Sequence, residues 1–429
     1  MNIKRDYYLN KLISKKDNGM VKVVTGLRRS GKTFLLKNIY RAWLISNGTP
    51  EKNVVYLALD SNQNIRYRNP VELDNYLRDK INSAEGRCYV IIDEIQYATS
   101  VPNPYLPQEV RSKENEISFY DTVLGLMDIC DLYITGSNSK MLSSDILTNF
   151  RNRGDEIKVY PLSFSEYLTA YKGSEDDAWR DYLYYGGMPF ILTLDDPRDK
   201  AEYLENLFKK TYITDIIERY KIKNVDDLEK IMDILASSVG SLVNPTNISN
   251  TFKSKTGDSV SRNTVAEYIN EIKESFLIDE AKRFDIRGRE YVSGQQKYYF
   301  SDLGLRNCRL NFRQFDLPHL LENAVYNELK MRGYKVDVGR VQSWEKNKSG
   351  NYQIVYLESD FVINDADKRI YIQVADGIDY AGKMIQESRS LLHIKDSFPK
   401  MILVNQNVPT HVTEEGITVK SVRQFLQDK

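Results

Sequence analysis

Two glycines and a lysine–threonine pair separate a strand-like segment from a helix-like segment near the amino terminus. Gly26, four further residues, Gly31, Lys32 and Thr33 follow one another, which fits the phosphate-binding pattern G-x-x-x-x-G-K-[ST]. Glycines let backbone N–H groups approach phosphate oxygens, and the following helix adds positive potential. We expect Lys32 to reach the β- and γ-phosphates and the Thr33 hydroxyl to hold Mg²⁺. The predicted ATP-binding residues are Gly26, Arg29, Ser30, Gly31, Lys32, Thr33 and Phe34.

A pair of acids at the end of a second strand-like segment favours the same chemistry. Residues 87–96 read RCYVIIDEIQ, which places Asp93 and Glu94 directly after apolar strand-forming residues. Acidic side chains are poor strand formers, so their position needs another reason. In P-loop ATPases an acid at this place holds the shell of Mg²⁺. We therefore predict Asp93 as a metal residue beside Thr33, and Glu94 as the base that orients and deprotonates water.

A third strand-like segment ends in small polar residues. Residues 130–142 read CDLYITGSNSKML, and Ser137 and Asn138 follow the apolar part. If this strand lies between the other two, its end meets the γ-phosphate or the attacking water, and both side chains become catalytic candidates. An ordinary polar turn is the alternative. Further strand-like segments at 53–60 and 156–162 predict a parallel α/β sheet.

Two arginines precede the last of these strands. Residues 150–157 read FRNRGDEI, with Arg151 and Arg153 in a polar stretch. An arginine at this place could extend to a neighbouring subunit and stabilise transition-state charge on the γ-phosphate. The spacing alone favours a solvated loop arginine.

These segments together resemble, in order and spacing, a prokaryotic AAA+-type ATPase family whose members carry a C-terminal domain of unknown function. The resemblance spans nearly the whole chain and implies ATP and Mg²⁺ as cofactors, with Asp93 and Glu94 as the acidic pair. It also implies Arg153 as the arginine that acts in trans, and hence nucleotide-dependent self-association. Asn152 stands where the family usually has glycine, so Arg151 stays an alternative. The segments that carry the resemblance are GLRRSGKT, VIIDEIQ, ITGSNSKMLSSDI, FRNRGDEIKVYPLSFSEYL and YLYYGGMPF.

The sequence pattern predicts a P-loop ATPase core at 1–163 and three further regions after it. These are a helical lid at 164–224, a winged helix-turn-helix at 225–310 and an α/β domain at 311–429. In the second of them, three helical segments precede strand-like runs at 279–286 and 297–302. The last helix offers Arg262, Asn263 and several acids including Glu271, and the wing offers Arg287 and Arg289. A DNA partner and a protein partner both stay open.

The last region resembles restriction endonucleases, with Glu322 in a helix and Glu358 and Asp360 in a strand. Such nucleases continue with Glu-x-Lys in the next strand, where the carboxylates hold Mg²⁺ and the lysine helps to activate water. Here that strand has Gln373 and Ala375 instead. We expect a degenerate site of Glu322, Asp360 and Gln373, and an active nuclease is the disfavoured alternative.

Composition limits the remaining classes. Sixty basic and sixty acidic residues give a net charge of zero, so no global basic field attracts nucleic acid or lipid. Three dispersed cysteines and three dispersed histidines predict neither a disulfide framework nor a zinc cluster. No apolar run approaches the roughly 18 residues of a membrane span. We expect a cytoplasmic protein without a membrane partner, acting as a slow Mg²⁺-dependent ATPase and conformational switch. An ATP-regulated DNA-binding module is the alternative.

Overall fold

The chain folds into two units, one of residues 4–159 and one of residues 160–429 together with 1–3. The computed structural model describes residues 3–112, 115–136, 150, 153–347, 350–365, 368–378 and 381–428. Among these residues, no helix combines the length and the apolar character that crossing a membrane requires.

A five-stranded parallel sheet forms the core of the first unit. Its strands are β1 (Val21–Thr25), β2 (Val54–Ala58), β3 (Cys88–Asp93), β6 (Cys130–Thr135) and β7 (Gly154–Lys158). Their order in the sheet is β2-β3-β6-β1-β7. β6 lies between β1 and β3, the arrangement on which the suggested catalytic role of its polar end depends. These three strands are buried along their full length, as is typical of parallel sheets covered on both faces. The last strand begins earlier than predicted and ends before Pro161, which has no backbone N–H to donate.

Helices join the strands of this sheet, and a small hairpin of β4 (Val101–Pro102) and β5 (Glu116–Ile117) lies apart from it. The helices are Asp6–Ser14, Lys32–Phe34, Arg41–Ser46, Pro70–Asn82 and Phe119–Leu126. A π-helical stretch, Leu35–Tyr40, joins the second of these helices to the third. The helix that follows the phosphate loop is therefore continuous to Ser46.

The second unit begins with helices and ends with a large mixed sheet. Its helices are Phe164–Leu168, Glu175–Tyr185, Pro197–Leu207, Thr214–Tyr220, Val225–Ser237, Pro245–Thr256, Arg262–Glu274, Leu303–Arg309, Leu317–Met331, Ala381–Leu392 and Val422–Gln427, with a π-helical stretch Phe208–Ile213. Several of their amino termini carry the side-chain caps that favour a helix start. Examples are Ser261, which accepts from the Thr264 N–H, and Asn244, which accepts from the Asn247 N–H.

The large sheet has eight strands, and a separate two-stranded sheet pairs β8 (Ile278–Ala281) with β11 (Lys297–Phe300). The strands of the large sheet are β9 (Arg283–Asp285), β10 (Glu290–Tyr291), β12 (Lys335–Lys346), β13 (Tyr352–Asp365), β14 (Lys368–Ala375), β15 (Lys400–Val404), β16 (His411–Val412) and β17 (Ile417–Ser421). Their order in the sheet is β10-β9-β12-β13-β14-β15-β17-β16.

The predicted strand at 279–286 is wrong as a single element. Its first half is β8, which pairs with β11, and its second half is β9, which pairs in parallel with β12 of the large sheet. The chain changes sheets at Lys282, whose carbonyl accepts from the Val338 N–H at 2.8 Å. The turn that carries Arg287 and Arg289 therefore lies at an edge of the large sheet.

Candidate nucleotide site

The loop between β1 and the next helix has a backbone that only certain residues adopt. Gly26, Arg29 and Gly31 all have positive φ, at 127°, 64° and 98°. A Cβ atom on Gly26 would lie 2.1 Å from the Val159 carbonyl oxygen, so this position has no room for a side chain. Gly31 precedes the helix and provides no side-chain cap. Left-handed residues in such a turn and an uncapped helix start favour anion binding.

Lys32 is a cation held inside this loop. Its side chain is buried, and its Nζ donates to the carbonyl oxygens of Gly26 and Leu27 at 2.9 Å each. Burial lowers the pKa of Lys32 to about 8, although the nearby Glu94 and Asp93 favour the charged form. Both hydrogen-bond acceptors of the Lys32 ammonium are neutral. An anion bound at the loop would therefore stabilise its positive charge.

Ser30 leaves a polar atom without a partner in the same loop. Its Oγ is fully buried and has no hydrogen bond among the described residues. The backbone around it is well paired, because its N–H donates to the Leu27 carbonyl at 3.2 Å and its carbonyl accepts from Arg5 at 2.9 Å. An orphaned hydroxyl is costly in a protein interior. Together with Lys32, it indicates that the loop fits a phosphate group.

Asp93 and Thr33 meet at the end of the sheet. The buried Asp93 carboxylate accepts hydrogen bonds from the Thr33 side chain, from Tyr56 at 2.8 Å and from Thr135 at 3.1 Å. Burial raises the pKa of Asp93 above its usual value, and these hydrogen bonds oppose the increase. Hydroxyl and carboxylate oxygens are ligands that Mg²⁺ accepts. The two residues that would hold Mg²⁺ are therefore adjacent, and Tyr56 is a partner that the sequence did not indicate.

Glu94 has an unusual backbone conformation directly after β3. Its φ is 56°, in the left-handed region, which costs a non-glycine residue roughly 1–2 kcal/mol. Its half-buried carboxylate accepts a hydrogen bond from Gln96, a second residue that sequence reasoning missed. Strained residues of this kind occur often at functional sites. The Glu94 N–H donates to Asp93 Oδ1 at 3.1 Å, and this hydrogen bond helps to hold the backbone that orients the Glu94 side chain.

The other predicted residues of this site divide into two groups. Arg29 is exposed and Phe34 is half-buried. The Arg153 side chain is exposed, and its backbone carbonyl accepts from the Val21 N–H at 2.9 Å, so the residue adjoins β1. Ser137, Asn138 and Arg151 lie outside the described residues.

The predicted nuclease-like residues come together in the second unit. The Asp360 N–H donates to Gln373 at 3.4 Å, and the Val374 N–H donates to Asp360 at 2.8 Å. Burial, followed by the charge of Glu322, raises the pKa of Asp360 above its usual value, and the charge of Lys297 opposes this increase. Lys297 lies among these side chains, and no sequence pattern pointed to it.

Family profiles match two consecutive regions of the chain. One described as an AAA domain matches residues 18–168, and one described as a domain of unknown function (DUF8612) matches residues 176–316. An uncharacterized protein of Haemophilus influenzae is 34% identical over 429 residues, covering 99% of this chain and 98% of that protein. The chain belongs to this family of AAA-domain proteins. An uncharacterized protein of Methanocaldococcus jannaschii is 27% identical over 425 residues, covering 95% of this chain and 86% of that protein.

Solved structures add little to the family assignment. The Aeropyrum pernix ORC1 protein in complex with DNA matches with 13% identity, covering 72% of this chain and 93% of that chain, at a TM-score of 0.27. At this TM-score, the match assigns neither a function nor a partner to this chain. The AAA domain itself implies ATP binding and hydrolysis with Mg²⁺, and the buried Lys32, the orphaned Ser30 hydroxyl and the Asp93–Thr33 contact fit those cofactors.

Proposed function

We propose that this AAA protein is a slow Mg²⁺-dependent ATPase that acts as a nucleotide-driven conformational switch. The buried Lys32 ammonium carries the proposal, because its two hydrogen-bond acceptors are neutral carbonyls in a loop of positive-φ residues. A phosphate group is the anion that such a loop binds best. The adjacent Asp93 and Thr33 supply oxygen ligands for the accompanying cation.

Each residue of the site has a role in this proposal. Bound Mg²⁺ would supply neutralisation of the phosphate charge. Lys32 stabilises the γ-phosphate charge, while Thr33 and Asp93 orient the cation shell. Glu94, positioned by Gln96, accepts the proton of the attacking water.

Three further residues are assigned to the same reaction. Ser137 and Asn138 contact the γ-phosphate or the water in this proposal. Arg153 acts on the nucleotide site of a neighbouring copy, so self-association depends on nucleotide. The Arg153 side chain is exposed and therefore accessible to such a copy. Arg151 is the alternative for this last role.

We also propose the boundaries 1–163, 164–224, 225–310 and 311–429 for the ATPase core, the lid, a winged helix and a nuclease-like domain. The order of elements supports the winged helix, because three helices come first, a bridge joins Val243 to Gln296, and β8 then pairs with β11. The order helix, three strands, helix, strand from Leu317 to Val404 supports the last assignment. ATP would change the arrangement of these regions.

Removing the Lys32 ammonium tests the proposal. We expect Lys32→Ala to weaken Mg-ATP binding by about 100-fold, because the buried cation contacts the phosphates directly. Titration calorimetry measures the affinity. Lys52→Ala is the control, since Lys52 is an exposed lysine of the same unit that pairs with Glu85 at the surface. Equal affinities of wild type and Lys32→Ala would refute the proposed site.

A second candidate, an ATP-regulated DNA-binding module, is favoured by a basic cavity in the second unit. The cavity measures about 730 Å³ and lies beside the β9–β10 turn. Its wall has one acid, Asp396, which already accepts from Tyr371 at 2.5 Å. The basic and aromatic residues of the wall are Arg287, Arg289, Arg369, Lys395, His393, Trp344 and Phe398.

Two arginines of this cavity donate to neutral partners. Arg287 donates to Gln342 at 2.9 Å and Arg369 donates to Asn364 at 3.0 Å. Unneutralised arginines attract phosphate backbones, and exposed aromatic rings such as Trp344 stack on bases. A nucleic acid strand is therefore the ligand that this cavity suits.

The predicted DNA-facing helix is less suited to the same task. Glu271, expected on its exposed face, is buried, with one carboxylate oxygen unpaired. Burial raises the pKa of Glu271 to about 7. The exposed residues of this helix include Arg262 as their one cation, beside Asn263 and Glu267. A helix with one exposed cation can make few contacts with the phosphates of a DNA backbone.

Charge reversal distinguishes the cavity from the helix. We expect Arg287→Glu together with Arg289→Glu to abolish salt-sensitive duplex binding, because two phosphate contacts become repulsive. Arg262→Glu is the matched control on the helix and should retain binding. Fluorescence anisotropy at low salt, with and without ATP, measures the affinity. The absence of duplex binding in the wild type under both conditions would reject this candidate.

A further inference from the structure

A lysine lies at the centre of the acidic cluster in the second unit. The Lys297 Nζ is 2.7 Å from Glu322 Oε1, 2.7 Å from Glu358 Oε1 and 3.7 Å from Asp360 Oδ1. Lys297 is 2% exposed, and Glu322 and Asp360 are 7% exposed each. One ammonium group thus lies close to three carboxylates, of which those of Glu322 and Asp360 are buried and that of Glu358 is partly exposed.

These acids require a cation at this position. Carboxylates removed from water are strongly destabilising unless a positive charge and hydrogen bonds compensate for their lost hydration. Tyr299 provides one such hydrogen bond, because its hydroxyl donates to the same Glu322 oxygen that Lys297 contacts. Lys297 and Tyr299 are two positions apart on β11, so both point to the same face of that strand.

The cation and the acids come from different parts of the unit. Glu322 lies on the helix Leu317–Met331, and Glu358 and Asp360 lie on β13 of the large sheet. Lys297 enters from β11, which belongs to the two-stranded sheet. The distances to Glu322 and Glu358 are those of direct ion pairs, so no room is left for an ion between Nζ and these oxygens.

We propose that the Lys297 ammonium takes the place of a divalent cation in this cluster, and that removing it creates a divalent-cation site. The contacts of Lys297 alone carry this inference, and the ATP site plays no part in it. Oxygen ligands from three carboxylates suit Mg²⁺ or Mn²⁺. Among the described residues of the protein as it stands, no group of three His, Cys, Asp or Glu residues is arranged to hold a metal ion.

Mn²⁺ binding to the full-length protein without nucleotide tests the proposal. We expect Lys297→Ala to gain about one Mn²⁺ site per chain relative to wild type, measured by the loss of the free Mn²⁺ signal in electron paramagnetic resonance. Mn²⁺ bound by Asp93 and Thr33 contributes equally to both proteins, so the difference between variant and wild type reports the additional site alone. Lys297→Arg keeps a cation in the cluster and should gain no site.

Two controls locate the gained site. Lys297→Ala combined with Asp360→Asn should lose it, because one ligand is removed. Lys330→Ala removes a partly buried lysine that lies 3.5 Å from Asp279 in the same unit, and should gain no site. Mn²⁺ should also raise the melting temperature of Lys297→Ala by several degrees and leave that of Lys297→Arg unchanged.

Three results would overturn the proposal. The first is a wild-type protein that binds Mn²⁺ in a manner abolished by Asp360→Asn. The second is a folded Lys297→Ala protein without an additional site. The third is a Lys297→Ala protein that fails to fold equally with and without Mn²⁺, since a metal ion then cannot replace the ammonium.

Discussion

Glu94→Gln is expected to lower ATP turnover by about 100-fold or more, while Mg-ATP affinity stays within about threefold of wild type. The amide keeps the size of the side chain and can still bond to Gln96, but it cannot accept a proton from water. The left-handed backbone at Glu94 directs this side chain, and the substitution does not alter that backbone. Phosphate release under saturating ATP measures the turnover.

Glu85→Gln serves as the control for this experiment. Glu85 is a solvent-exposed glutamate of the same unit, paired with Lys52 at 3.0 Å, and its substitution should leave turnover unchanged. Wild-type turnover in Glu94→Gln would show that another group activates the water. A lower affinity for Mg-ATP with unchanged turnover would show that Glu94 acts in nucleotide binding and not in the chemical step.

Gly26→Ala is expected to destabilise the first unit by about 3 kcal/mol or more and to abolish ATP binding. The added Cβ would lie 2.1 Å from the Val159 carbonyl oxygen, and the φ of 127° is unfavourable for alanine. Either the loop or the chain after β7 must move. Because Lys32 donates to the Gly26 carbonyl, a displaced loop also displaces the ammonium.

Gly48→Ala separates the two causes of this effect. Gly48 also has positive φ, at 92°, but a Cβ there meets nothing within 4 Å. Its substitution should therefore cost only the backbone strain, about 1–2 kcal/mol. Thermal unfolding with and without Mg-ATP measures both variants. Equal melting temperatures for the two would contradict the close approach between Gly26 and Val159.

The sequence predicted best where local chemistry decides the structure. The phosphate loop needs its glycines and lysine at fixed spacing, so residues 26–33 indicated the P-loop fold without knowledge of distant contacts. The alternation of strand-like and helical segments predicted a parallel sheet, but the order of its five strands came only from the structure. The family profiles confirm the AAA assignment that these segments predicted.

Contacts between distant residues were beyond such reasoning. Lys297 meets Glu322 and Asp360 across 25 and 63 positions, and nothing in the run KYYF distinguishes it from an exposed lysine. The chain crosses between sheets at Lys282 within a run that alternates like one strand. Glu271 is buried although its helix is otherwise amphipathic, and helical periodicity alone did not indicate this burial.

The crossing at Lys282 limits how the second unit can deform. Between β8 and β11 the chain leaves the small sheet and adds β9 to the large one, and it then returns. Twisting the helices of residues 225–274 against the large sheet would rupture backbone pairing at β9 and withdraw Lys297 from its acids. We therefore expect the small sheet and the large sheet to keep their relative positions when the rest of the protein changes conformation.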